Sequence, residues 1–325
     1  MNIRRNIYAT LLWVVFLIIF ILLDLFYGSR MSGSWEADIA VIITRIRLPR
    51  IITAIIAGSV LALAGVQMQS ILRNPLADPH IMGISSGASL GAASATLIGG
   101  SIATGSVLQG LPVAIAAIAG ALLTSFIIIA AGKRLKSAMT LLIFGVMLGF
   151  IANAVITVMQ SNSNAESLKI FHSWSAGSFA TTSWREILIL VTTLSSAIVL
   201  SAINHKGLDI ILFGDEFAEL ASTSPQKTRF LALLSCCLIT GAVTAFCGPI
   251  GFVGITAPHI ARGFWNTSAH RTIIPASMLC GGTIGVAADL LSYTASIPIP
   301  ISSTMAIAGV PVILYILVKQ TGSEL

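Results

Sequence analysis

Apolar runs of about twenty residues divide this chain, and that is the length an α-helix needs to cross the roughly 30 Å hydrocarbon core of a bilayer. "ATLLWVVFLIIFILLDLFY", ending at Tyr27, is one of them. Such runs lie near 7–27, 51–70, 81–99, 111–131, 138–159, 184–203, 230–247, 249–263, 273–292 and 303–319, ten in all. With 56% hydrophobic and 9% charged residues, the chain has too little polar surface for a water-soluble fold. The expectation is an all-α polytopic membrane protein, one transmembrane domain over residues 1–325.

Two runs need separate treatment. The first follows Arg4 and Arg5, exceeds the core of a signal peptide and is not followed by a small-x-small cleavage pattern, so it is read as a retained span. The eighth, "GPIGFVGITAPHIAR", is expected to be short or broken. Backbone groups freed by Pro249 and Pro258 cannot face lipid unsatisfied, so this segment should sit among other helices or line a cavity.

An even number of spans puts both termini on one side. With the N-terminus in the cytoplasm, 12 of the 18 basic residues fall in cytoplasmic segments, as the positive-inside rule requires. The net charge of +6 is thus explained by topology and membrane lipid, with no nucleic acid partner. The six outer basic residues are Arg30, Arg45, Arg47, Arg50, Lys169 and Arg185, and "RIRLPR" at 45–50 supplies half of them. A cluster that opposes the topological bias needs its own cause, whether a polar partner or snorkelling to lipid phosphates.

The only aspartates within spans are Asp24 and Asp289, near helix ends, and no metal-ligand or nucleophile motif accompanies them. Cys236, Cys237, Cys247 and Cys280 lie in or at the ends of apolar segments and read as small helix-packing residues. The five histidines are scattered, so no metal or cofactor is assigned to this chain. No Gly-rich phosphate-binding loop appears either. Active transport would then draw on a separate nucleotide-hydrolysing subunit or on an ion gradient, and the lack of mid-membrane carboxylates weighs against the gradient.

Two connections are long. Residues 160–183 predict a short interfacial helix with Trp174 and Phe179 as anchors. Residues 204–229 predict a short helix pair at the cytoplasmic face, with Asp215, Glu216 and Glu219 interleaved with Phe217, Ala218 and Leu220. The tripeptide Pro-His-Ile occurs in each half of the chain, at 79–81 and 258–260, a hint of an inverted repeat.

Three separated motifs carry a resemblance: "RIRLPRIITAIIAGSVLALAGVQMQSILRNPLADPHIMGISSGASLGAA", "GPIGFVGITAPHIARGFWNTSAHRTIIP" and "STMAIAGVPVILYIL". Together they resemble the FecCD family of permeases, the membrane subunits of type II ABC importers for ferric siderophores, haem and cobalamin. The resemblance implies a ten-span permease fold with an inverted repeat, paired with a second permease subunit, here read as a homodimer in the inner membrane. It implies two partner ATPase subunits, which would hold ATP and Mg, and an extracytoplasmic substrate-binding protein. The chain itself would bind no cofactor and would not be an enzyme. Its cargo is expected to be an iron chelate, a siderophore ahead of haem, with cobalamin as the alternative and a stand-alone secondary carrier as the rival class.

The resemblance also implies site residues. Arg47 and Arg50 match family arginines that receive carboxylates of the binding protein, with Arg45 as a possible substitute, and Tyr293 stands where a third family arginine would fall. Bidentate Arg–carboxylate pairs would fix orientation while remaining weak enough to release. Asp215, Glu216, Phe217, Ala218, Glu219 and Leu220 match the coupling segment that meets the ATPase, within cytoplasmic coupling helices at 204–229. After it, Ala221 and Ser222 replace the usual Leu-Gly, a change at a left-handed helix cap. Asn74, Leu76, Ala138 and Met139 match the cytoplasmic gate, and Pro298–Ser302 departs from the family's Glu-Leu-Pro-Val-Gly.

Overall fold

The computed structural model describes residues 3–27, 39–98, 111–135, 137–294 and 299–321, and among them the fold is entirely helical. The helices, in chain order, are α1 (Ile3–Tyr27), α2 (Ile39–Ile42), α3 (Leu48–Ile71), α4 (Ile84–Ala93), α5 (Leu111–Arg134), α6 (Ala138–Ser161) and α7 (Ala165–Ser175). They continue with α8 (Trp184–Ile211), α9 (Asp215–Leu220), α10 (Pro225–Cys247), α11 (Val253–Trp265), α12 (His270–Thr294) and α13 (Ile301–Thr321).

Helix α3 is the hub, packed on α8, α10, α11 and α12. In its apolar stretch 83% of residues are buried, against 17% in α1, which lies on the outside of the bundle. Glycines permit the closeness. A Cβ on Gly65 would fall 1.9 Å from the Gly254 carbonyl oxygen of α11, and one on Gly58 2.1 Å from that of Gly281 on α12. Small residues thus let backbones touch where no hydrophobic drive separates protein from lipid.

Among the described residues, α1, α3, α5, α6, α8, α10 and α12 are the seven helices long and apolar enough to cross a membrane. Two of the other three expected spans are shorter, while the last is covered by the 21-residue α13. The 81–99 run is broken: a 3₁₀ turn (Pro79–Met82), left-handed Gly83, the ten-residue α4 and a π turn (Ser94–Ile98). The 249–263 run contains the 13-residue α11, about 20 Å at 1.5 Å per residue, too short to cross alone. Its N-terminal half, Val253 to Pro258, is buried, as the Pro- and Gly-rich sequence required. Both Pro-His-Ile tripeptides lie at these broken elements.

Two loop expectations are corrected. The stretch 204–229 is not a helix pair, because α8 runs on to Ile211 and α10 begins at Pro225, leaving only α9 between them. Polar Asn204 does not end α8; its Nδ2 donates to the Thr228 carbonyl of α10 at 2.9 Å. Residues 160–183 do contain a short helix, α7, but Phe179 is 1% exposed and belongs to the core, while Trp174 stacks on Phe171.

Candidate functional site

The proposed site residues gather at opposite ends of the bundle. At one end the chain passes from α2 through a π turn (Ile43–Arg47) into α3. Pro49 explains the turn, since it lacks the N–H that would bond the Arg45 carbonyl, and Leu48 N–H instead reaches back to Ile43. The irregular turn sends the three arginines in different directions.

Arg45 is exposed. Arg47 is half-buried and donates through Nη1 to the Leu25 carbonyl, capping the last turn of α1 with a cation. Arg50 turns into the bundle, where Nε and Nη2 donate to the two carboxylate oxygens of Asp289 on α12 at 2.6 and 2.8 Å. Nη2 also reaches Ser292 Oγ at 3.2 Å, and the guanidinium lies 4.4 Å from the centre of the Tyr293 ring. Tyr293 in turn donates its hydroxyl to the Asp24 carboxylate of α1. The side chain of Asp289 is fully buried and that of Arg50 is 21% exposed. Arg47, Arg50 and Tyr293 are therefore brought together around two aspartates that the motif did not name. Their signal was available: an aspartate inside a span needs an internal partner.

At the other end, α9 follows α8 and precedes α10. Asp215, in its first turn, accepts from Arg229 Nη2 at 2.8 Å and lies 3.8 Å from Arg73 Nη2. The negative charge suits the helix N-terminus and the two arginines fix its position. Ala218 is buried against the bundle, whereas Glu216, Phe217, Glu219 and Leu220 face outward. Leu220 is 86% exposed, and Phe217 pairs with Phe213, itself 75% exposed, at a ring separation of 5.4 Å. Helix α9 ends as a Schellman turn: Thr223 N–H bonds Ala218 O at 2.8 Å and Ser222 N–H bonds Glu219 O at 3.0 Å. Ser222 takes φ 57°, the left-handed conformation for which the family resemblance led one to expect glycine. A cleft of about 220 Å³ opens beside α9, lined in part by Leu135, Leu141, Glu219 and Phe230.

The gate candidates come from two elements. Asn74 shapes the turn after α3, its Oδ1 accepting from Leu76 N–H at 2.9 Å, and Leu76 is half-buried. Met139 is exposed near the start of α6, while the side chain of Ala138 lies outside the described residues.

Sequence reasoning missed a third cluster, Asp209–His270–Ser70. His270 Nδ1 lies 2.6 Å from Asp209 Oδ1 and its Nε2 2.6 Å from Ser70 Oγ, joining α8, α12 and α3. Its order resembles an acid–base–nucleophile trio, yet Ser70 is 2% exposed and also donates to the Val66 carbonyl at 2.8 Å. The trio is a brace between helices, with Ser70 and His270 buried and Asp209 38% exposed at its edge.

Comparison with known proteins places this geometry. The profile of the FecCD transport family matches residues 11–319. The uncharacterized ABC transporter permease protein YvrB of Bacillus subtilis is 34% identical over 303 residues, 91% of this chain and 84% of that protein. The vitamin B12 import system permease protein BtuC of Klebsiella pneumoniae is 31% identical over 311 residues, 94% of this chain and 92% of its own. Among solved structures, an inward-facing conformation of a metal-chelate type ABC transporter matches with a TM-score of 0.83 at 28% identity, covering 97% of this chain and 98% of that one.

Proposed function

This chain belongs to the FecCD transport family, and from that premise we propose that it passes an iron chelate through the cell membrane at the interface of a permease dimer. The coarser statement is already secure: it is the integral membrane permease subunit of an ABC importer, and ATP hydrolysis belongs to a separate subunit. The proposed architecture is ten spans in inverted repeat, the shorter α4 and α11 together with α13 completing the seven long helices, with both termini cytoplasmic.

The observation that carries the coupling reading is the exposed apolar face of α9. Phe217 and Leu220 project from a helix whose Asp215 is anchored by Arg229. Exposed large apolar side chains in a polar setting mark a partner's contact surface. We assign that contact to an ATPase subunit, with Glu216 and Glu219 on its rim. At the other end, the arginine motif at 45–50 is proposed to meet carboxylates of an extracytoplasmic binding protein. Asn74 and Leu76, with Ala138 and Met139, are proposed to gate the cytoplasmic exit. Movement of Met139 needs little repacking, because a flexible thioether chain adapts to changing neighbours.

Cobalamin is the second reading for the cargo, favoured by relatives whose names carry it. Proteoliposomes holding this chain, its ATPase and its binding protein distinguish the two through uptake of a ferric siderophore, haemin or cyanocobalamin. Nucleotide-dependent accumulation of a ferric chelate supports the first reading. Accumulation of cyanocobalamin alone replaces it with the second.

A further inference from the structure

Resting on the reading of Asn74 and Leu76 as gate residues, we propose that α11 positions that gate: His259 holds the loop at Pro75, while Gln69 and Arg262 lock α11 to the end of α3. The starting point is Pro258. Having no N–H, it leaves the Gly254 carbonyl, four residues earlier in α11, without its helical donor. Gln69 of α3 supplies one instead, its Nε2 donating to the Gly254 carbonyl at 3.1 Å. The other end of the same amide, Oε1, accepts from Arg262 Nη1 at 2.6 Å. Gln69 is buried, so a single internal amide ties α11 to α3 at two points about two helical turns apart.

The gate loop follows shortly after Gln69. Within it, Asn74 N–H bonds the Gln69 carbonyl at 3.1 Å, Leu76 N–H bonds Asn74 Oδ1 at 2.9 Å and Ala77 N–H bonds the Asn74 carbonyl at 3.1 Å. Asp78 then caps the 3₁₀ turn, its Oδ1 accepting from His80 N–H at 2.7 Å. These bonds fold the loop on itself without placing it against α11. The Pro75 carbonyl, between the two gate residues, does that by accepting from His259 Nε2 at 2.9 Å. A carbonyl can only accept, so Nε2 carries the proton of this bond. The contact continues at Asp78, whose Oδ2 would lie 3.1 Å from a Cβ on Gly254. The Pro-His-Ile of one half of the chain thus grips the segment leading into that of the other.

The two ties differ in what their loss would do. Without Gln69 the buried Gly254 carbonyl has no donor and Arg262 loses its acceptor, which costs the fold. His259 is half-buried and Pro75 is exposed, so water can take over the carbonyl when the imidazole is removed. What is lost there is the placement of the loop. Gln69 and Arg262 are the footing, and His259 is the positioning residue of the gate.

The test uses the assembled importer in proteoliposomes, with whichever of ferric siderophore, haemin or cyanocobalamin the parent accumulates. H259F keeps the ring and removes the donor, whereas H259Q keeps a donor of similar reach. H259F should speed amide exchange across residues 74–78 about fivefold and lower the cargo accumulated per ATP hydrolysed by a similar factor, at an unchanged melting midpoint. H259Q should restore both. Q69L should instead lower the midpoint, and less so in P258A, where a backbone N–H returns to the Gly254 carbonyl. Exchange unmoved by H259F, or not restored by H259Q, overturns the inference. L76A tests the gate reading separately, since it truncates a gate residue directly. A lowered cargo-to-ATP ratio in L76A with a parental ratio in H259F overturns the positioning role. A parental ratio in both sinks the gate reading on which that role rests.

Discussion

The two ends of this bundle carry sequence anomalies of opposite sign, and the structure resolves them in opposite directions. At the arginine end, charge set in an apolar chain turns inward: Arg50 finds Asp289, and Tyr293 finds Asp24. At the α9 end, apolar side chains in a polar loop turn outward, with Phe217 and Leu220 exposed. The difference lies in where each group's complement resides. Asp289 is part of the same chain, so the charge is satisfied internally and serves cohesion. Nothing among the described residues covers Leu220, which is why α9 is proposed as the contact for a partner subunit.

Substitutions at each end sharpen the contrast, and the largest effect belongs to the Arg50–Asp289 pair. D289N leaves Arg50 buried beside a neutral amide and should cost about 3 to 5 kcal/mol of stability, read from denaturant unfolding in detergent micelles. Uptake should then fall only as the folded fraction falls. F217D should do the reverse, lowering nucleotide-driven uptake about thirtyfold or more, as expected for loss of a central contact residue, with an unchanged unfolding midpoint. A destabilised F217D, or a stable but inactive D289N, would break the comparison. D215N removes a partly exposed pair with Arg229 and should cost less than about 1 kcal/mol, seen as faster amide exchange across α9. Smallest of all, S222G relieves a left-handed serine and should slow exchange at the end of α9 by about 0.5 kcal/mol, net of the freedom glycine adds to the unfolded chain.

What could be read in advance followed the range of the forces involved. Hydropathy is local, so the long apolar helices and the broken character of 249–263 were visible, the latter through Pro249 and Pro258. The turn before α4 was hidden, because Ile81, Met82 and Gly83 read as the start of the same apolar run. The end of α8 was misplaced for a related reason. "NHKG" at 204–207 looks like a helix terminus, but Asn204 is satisfied by Thr228 on α10, and Gly207 packs so closely there that a Cβ would fall 2.5 Å from the Thr228 hydroxyl. The left-handed cap at Ser222 was legible only through the family's glycine at that place, because serine carries no such signal of its own. The direction of Arg50 was not, since its partner lies 239 residues away.

The central claim, an ATP-driven permease coupled through α9, is tested most directly by substrate uptake into proteoliposomes with and without the ATPase subunit. Accumulation is expected only when ATPase, ATP and binding protein are all present, and is expected to be lost in F217D. Accumulation by this chain alone, without nucleotide, would contradict it.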